Sequence, residues 1–257
     1  MLRVLWVFLI FVLGPQAQGR VFEFKDEWLA GYIRGTGTWS QLGTAPYGSS
    51  SGGQTSFADK PKYHMSGEFG FVWTPTDRIG LRLGLEAIMS QKQEGIEGKD
   101  SGGSVLMSLD SQVRVFNPNL TLELSFISED KRKFFMFVGG GYSQVRVSNE
   151  YELTAAGQAL YSLSDNYKES LEGLAYSGHL GFGYEMHMVD TVSVLFELGY
   201  RHFIARELNH RDGIQTVNGN FSEGSVALKN NGDKRQLDMG GAFLGVSFRF
   251  YMPDFSK

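Results

Sequence analysis

GLAYSGHLGFGYEMHMVDTVSVLFELGYRHF, residues Gly173 to Phe203, decides how the rest of the chain reads. Leu174, Tyr176, Leu180, Phe182, Tyr184, Met186 and Met188 alternate with Ala175, Ser177, His179, Gly181, Gly183, Glu185 and His187. After Val189-Asp190-Thr191 the apolar side resumes as Val192, Val194, Phe196, Leu198 and Tyr200, and Ser193, Glu197, Gly199 and Arg201 take the other side. A period of two means a strand with two different faces. Two such strands across a three-residue turn predict a long hairpin in which Met188 pairs with Val192 and His179 lies opposite Arg201.

The same alternation recurs along the chain. Trp28 to Ser40, Tyr63 to Trp73, Ile79 to Met89 and Phe134 to Val147 read as strands, and Gln236 to Tyr251 as the last one. Around Pro118 the pattern changes phase: Val105, Met107, Leu109, Val113 and Val115 alternate on one side, Leu120, Leu122, Leu124 and Phe126 on the other. The expectation there is one strand at Leu120 to Ile127, with an irregular or bulged extension before it. Eight strands result. Their connections alternate long and short, with long polar stretches at Gln41 to Lys62, Gln91 to Gly103, Ser148 to Glu172 and Arg206 to Arg235.

Composition narrows the class. The 257 residues include 33 Gly, 6 Pro and no Cys, with a formal net charge of -4 and a mean hydropathy of -0.20. No disulfide or thiol chemistry is available, and no basic run suggests nucleic acid. A helical span needs about 20 consecutive apolar residues, and the one continuous apolar run, Val4 to Leu13, is shorter. With Arg3 before it and Ala17 and Gly19 after it, that run has the pattern of a secretory signal peptide over residues 1–19, leaving 20–257 as the mature domain.

Alternation alone does not say which face points outward, since a soluble lipocalin-like barrel uses the same period with the apolar side inward. Sorting of loop length by parity favours an up-and-down transmembrane barrel, with short turns at the periplasmic rim and long loops outside. So do Trp28, Trp73, Phe126, Phe134 and Phe250, which stand at strand ends beside the short turns like an interfacial aromatic girdle. The expected fold is therefore all-β: an eight-stranded antiparallel up-and-down transmembrane β-barrel in a Gram-negative-type outer membrane.

Short motifs agree with this. Gly245-Val246-Ser247-Phe248-Arg249-Phe250 resembles the C-terminal signal by which outer-membrane barrels are recognised for assembly, with Gly245, Phe248 and Phe250 at its marked positions and Tyr251 to Lys257 in excess of it. Asn117-Pro118-Asn119-Leu120-Thr121-Leu122, followed by Lys133 to Tyr142, resembles small barrels of the OmpW and OmpA-like groups, with Met136 where those have proline. The resemblance implies outer-membrane lipid and lipopolysaccharide as surroundings and the barrel-assembly machinery as a partner of the last strand. It implies no cofactor.

With the apolar face outward, the lumen receives Arg34, Glu68, Arg82, Glu86, Glu123, His179, Glu185, His187, Glu197, Arg201 and Arg249. An eight-stranded barrel is just wide enough for side chains to fill. These charges either pair and plug the barrel or line a narrow porin-like pore. The long loops offer a different role, as an adhesin or receptor surface for an extracellular ligand. An enzymatic reading rests on His64, Ser66 and Glu86: if Trp73 pairs with Ile79, Ser66 lies opposite Glu86 with His64 diagonal to it, the parts of an acyl-transfer site. His-x-Ser also resembles the pair of the outer-membrane lipid A deacylases, although here it comes early in the chain and points into the lumen. No catalytic role is assigned to it. His179, His187 and His202 lack metal-site spacing, so no metal is expected.

Overall fold

A computed structural model describes residues 22–42, 47, 56–57, 60–163, 165–229 and 232–252. The segment 1–19 expected to be a signal peptide, much of the loop at Gln41 to Lys62 and the tail beyond Met252 lie outside the described residues. Eight long strands make the barrel: β1 (Leu29–Leu42), β2 (Lys60–Thr76), β3 (Ile79–Ser90), β4 (Val105–Ser128), β5 (Arg132–Leu153), β6 (Tyr167–Val189), β7 (Val192–Ala205) and β8 (Gly241–Tyr251). Each pairs antiparallel with its sequence neighbour, and β8 closes the ring on β1 from Ala30↔Tyr251 to Ser40↔Gly241. Closure removes the sheet edges, so backbone donors and acceptors of the wall find partners within it.

Loop length sorts by rim as the sequence predicts. Tight turns join β2 to β3, β4 to β5 and β6 to β7, and the start of β1 and the end of β8 lie at this same turn rim. The long connections gather at the other, the loop rim. Several of the expected loops are partly regular. Gln93–Lys99 is a strand paired with β4, Ser148 to Leu153 prolongs β5, and Thr154 caps a short helix, α1 (Ala155–Tyr161), by accepting from the Gly157 N–H at 3.2 Å. The segment after β7 folds back as short strands Asn209–His210, on β6, and Leu237–Asp238, on β7.

Local registers correct the sequence reading in three places. A bulge at the end of β2 pairs Thr76 with Ile79 but Trp73 with Leu81, shifting the hairpin by two residues; Glu68, not Ser66, stands opposite Glu86. The β6–β7 turn holds two residues, with Val189 paired to Val192 and Asp190 at φ 46°, in place of a Met188–Val192 pair. A bulge just inside it restores the expected register, and His179 does face Arg201. Finally, β4 is one strand of 24 residues. Phe116↔Gln144 and Asn119↔Gly141 keep one register across Pro118, so the pleat passes through without a bulge there.

The phase change therefore has another cause. Odd-numbered residues of β4 point inward along its length, from Met107 and Leu109 through Val113, Val115, Asn117 and Thr121 to Glu123. Below Phe116 the inward residues are polar and the outward ones apolar; above it the reverse holds. β5 repeats this, with Met136, Val138 and Tyr142 outward and then Val145, Val147 and Tyr151 inward. Hydrophobicity changes sides at one height while the pleat stays in step.

Below that height the outer wall is a continuous exposed apolar surface, including Ile33, Phe69, Leu83, Leu120, Phe182 and Leu244. Its lower margin carries Trp28, Trp73, Phe126 and Phe134; its upper margin carries Trp39, Tyr63, Phe116, Tyr142, Tyr176 and Tyr200, with Tyr176 72% exposed. Trp39 packs on Tyr63 (5.9 Å between ring centroids) and Tyr142 on Tyr176 (5.2 Å). The rise from Trp73 to Tyr63 along β2 is roughly 23 Å of height at the usual tilt, close to the apolar band of membrane barrels. A closed barrel that is greasy outside and polar inside, between two aromatic girdles, is a membrane-spanning barrel. Above the belt, Val113, Val145, Leu171, Phe203, Leu208 and Met239 belong to an inward core, so the loop end folds with its apolar side inside, as water requires.

Candidate functional site

Among the described residues, the lumen is where the fold concentrates buried charge. Ten of the eleven predicted residues, Arg34, Glu68, Arg82, Glu86, Glu123, His179, Glu185, Glu197, Arg201 and Arg249, point inward and are buried. His187 does not join them. It sits at the turn rim, stacks on Phe22 at 4.5 Å, and its ring bonds the Asp190 carbonyl at 2.9 Å. It keeps the regular register opposite Ser193, but at the last rung before the turn it lies beyond the ion-pair network.

Strand parity brings acids and arginines of different strands to the same heights. Arg34 of β1 donates to Glu68 of β2 at 2.7 Å and also bonds Glu197 of β7. Arg82 of β3 donates to Glu197 at 2.8 Å and lies 3.6 Å from Glu123 of β4. Arg249 of β8 donates to Glu123 at 2.5 Å and to Glu185 of β6 at 2.8 Å. One chain of pairs thus runs Glu68, Arg34, Glu197, Arg82, Glu123, Arg249, Glu185. Above it Arg201 donates to Glu86 at 2.5 Å. Every paired side chain here is 0–2% exposed. Removing an ion from water costs several kcal/mol, and in this set each acid and arginine meets an oppositely charged partner that offsets it.

Neutral groups complete the lining. Tyr32 bonds Glu68, Tyr251 donates to Glu185 at 2.8 Å, and Thr121 shares a 2.8 Å bond with His179. Asn117, which in the sequence marks only an interruption of the pattern, donates to Glu86 at 2.9 Å and accepts from Ser143 at 2.8 Å and Ser177 at 3.1 Å. Phe135, Phe137 and Phe243 fill the remaining width, and guanidinium carbons lie over their rings: Arg34 over Phe243 at 5.2 Å, Arg249 over Phe135 at 5.5 Å, Arg82 over Phe137 at 5.6 Å. Facing glycines make this room. A Cβ on Gly183 would stand 2.5 Å from the Phe135 ring, and one on Gly199 2.7 Å from Phe243.

Both mouths are occupied. At the turn rim Phe22 and Phe24, just before β1, are buried against Ala30, Tyr32, Val72 and Tyr251. At the loop rim the inward apolar core lies over the polar column. Beyond it is a second buried polar cluster the sequence does not announce: Arg235 donates to Glu169 at 2.6 Å, Asn149 donates to the same carboxylate at 3.2 Å, and His210 lies 3.7 Å away, stacked on Phe221. Burial lowers the His210 pKa, and the Arg235 charge lowers it further against the opposing pull of Glu169.

The hydrolase constellation does not assemble. Ser66 donates to Glu86 at 2.5 Å and bonds Thr36. His64 turns away from it: Nδ1 bonds Ser40 Oγ at 3.2 Å, and Nε2 has no partner among the described residues. Without a base on Ser66 there is no nucleophile pair. The register shift at the β2 bulge does not separate Ser66 from Glu86; it is the His64 ring, bonded to Ser40 of β1, that stays out of the pair. Among the described residues no group of acids and histidines is placed to hold a metal ion. Gly245, Phe248 and Phe250, which the sequence motif marks, lie in β8, which ends one residue later with Tyr251 turned into the lumen.

Among solved structures, outer-membrane proteins align with this chain. The outer membrane protein OprG of Pseudomonas aeruginosa aligns at 13% identity with a TM-score of 0.45, covering 90% of this chain and 99% of that one. A major outer membrane protein of Thermus thermophilus aligns at 13% identity and 0.42, covering 86% and 99%. Neisserial surface protein A aligns at 11% and 0.39, covering 86% and 97%. At this level the likeness carries no argument about this chain. No protein-family model matches the chain, and no curated protein matches it by sequence.

Proposed function

We propose that this chain is an integral outer-membrane β-barrel with a sealed lumen, a structural protein that carries a folded extracellular cap rather than a diffusive pore. The turn rim then faces the periplasm and the long connections face outward. The observation that carries this reading is the burial of the lining: a water-filled bore leaves its wall side chains exposed, and here the paired charges are 0–1% exposed at Arg82, Glu123 and Arg249, with apolar groups over both mouths. Planar-bilayer recording of the refolded chain tests it. No steady conductance is expected; a reproducible open level for the wild-type protein would replace the plug by a narrow channel. The last strand, through Gly245, Phe248 and Phe250, is the proposed contact with the assembly machinery.

A second role is compatible with a sealed barrel. β4, β5 and β6 rise well past the upper girdle, where Met107, Leu109, Tyr151 and Leu153 form a second core with Tyr161 and Val217 packed on it, and the Asn209–His210 segment pairs with β6. A rigid cap of this kind suits a loop-borne receptor or adhesin. Replacing 206–235 by a short linker while the barrel still assembles tests this, since unchanged surface binding would remove it.

A further inference from the structure

On the outer wall above the upper girdle, β4 and β5 place Arg114 directly opposite Arg146. Like charges facing each other across a strand pair are destabilising. Neither guanidinium has an ion-pair partner among the described residues; Arg114 donates to the Gln112 side chain at 3.0 Å. Glu172 faces Arg146 from β6 in register, yet the two form no ion pair. One step higher, Ser148 and Ser170 face each other, and the Arg211 N–H holds the Ser170 carbonyl at 2.9 Å, which brings a third arginine alongside, again without an ion pair among the described residues. The three arginines line a groove of about 350 Å³ with Gln112, Ser148 and Ser170. The other cations on it are satisfied: Lys92 by Asp110 and Glu94, Lys168 by Glu150.

Three guanidiniums without counter-ions around a floor of hydroxyls match the oxygens of a phosphate, which takes bidentate bonds from arginine. Height identifies the source. Arg114 lies just above Phe116 in β4, and Arg146 just above Tyr142 in β5, so the guanidiniums stand on the order of 5–10 Å beyond the apolar belt, where lipid headgroups lie. The groove opens on the same wall that the belt presents to lipid. We propose that the groove binds the phosphorylated headgroup of an outer-leaflet glycolipid of the lipopolysaccharide type. Its acyl chains would run down the belt past Tyr142 and Tyr176. This assignment rests on the outer-membrane reading above.

The test uses the full chain refolded in detergent micelles, titrated with diphosphoryl lipid A, its dephosphorylated form and inorganic phosphate, with binding read by native mass spectrometry. Diphosphoryl lipid A is expected to bind about tenfold or more tightly than the dephosphorylated form, and the R114Q/R146Q protein should lose on the order of tenfold per guanidinium removed. R132Q, which removes an arginine paired with Glu129 at the far rim, should bind as wild type. Equal binding by wild type and R114Q/R146Q would overturn the proposal, as would inorganic phosphate binding as tightly as lipid A. The lipid-free variant should be as stable as wild type or more so, because a repulsion is gone. A clear loss of stability would instead give the arginines a structural role. Failure of the wild-type chain to insert into bilayers would overturn the membrane reading itself; insertion without headgroup selectivity overturns only this groove.

Discussion

Arg249 of β8 donates to Glu123 of β4 at 2.5 Å, across the lumen between strands that share no backbone pairing. The bond braces opposite walls, with both side chains fully buried. Glu123→Gln leaves a fully buried guanidinium short of a counter-charge. A loss of about 3–5 kcal/mol is expected in urea unfolding from micelles. Arg249→Met with Glu123→Leu should not recover it, since Glu185 then loses its guanidinium and Arg82 one of its two carboxylates. A single variant that unfolds like wild type would show that the bond does not brace the barrel.

The phenylalanine layer predicts a coupled pair. Gly183→Ala sets a Cβ 2.5 Å from the Phe135 ring, a clash that overpacking data place at about 1–3 kcal/mol. Phe135→Leu in the same chain opens the space and should return part of that loss. A double-mutant cycle over these four proteins measures the coupling. Strict additivity would mean the two residues do not meet as described.

Phe24 forms part of the apolar stopper at the turn rim. Phe24→Ala should cost about 3 kcal/mol locally. Hydrogen exchange is expected to rise at Phe22 to Glu27 and around Tyr251, while amides at the centre of β1 and β8 stay protected. Uniform loss of protection would make the stopper part of the global fold rather than a separate closure.

The cap should loosen in acid. His210 has a folded-state pKa below its free value, so the unfolded cap binds a proton more readily than the folded one. The neutral imidazole's contribution is complete above the free value of about 6.5 and falls as pH drops below it, toward the lower folded-state pKa. Burial leads this shift, and Glu169 and Arg235 face the ring with opposite effects. Protection of amides near His210 should fall between about pH 7 and 5 in wild type but not in His210→Gln. Equal pH dependence in both would place the sensitivity elsewhere.

Much of this architecture is legible by parity. Arg34, Glu68, Arg82, Glu197 and Arg249 follow from alternation because a strand can only put its side chains on one side of the wall or the other. Which pairs form is less visible. Ser66 and Glu86 miss direct opposition because a bulge near Pro75 shifts the hairpin, and bulges have no strong local signature. The cap is harder still. Val113 and Val115 read as an irregularity because the eye follows hydrophobicity, whereas the backbone follows the pleat. The solvent outside the wall changes from lipid to water at Phe116, so the greasy side must change with it. Asn117 escapes for a similar reason: in a sequence Asn-Pro-Asn reads as a break, and only closure of the barrel gives it Glu86, Ser143 and Ser177 as partners.

The height at which hydrophobicity changes sides acts as a waterline painted on the hull. One residue inserted into β4 below it would turn every side chain above to the opposite side, putting Val113 and Val115 into water and Arg114 into the cap core. Two inserted residues would keep the sides but raise β4 relative to its neighbours, parting Arg114 from Arg146. Loops above the line can lengthen freely. Between the girdles, the chain tolerates neither a change of length nor a change of parity.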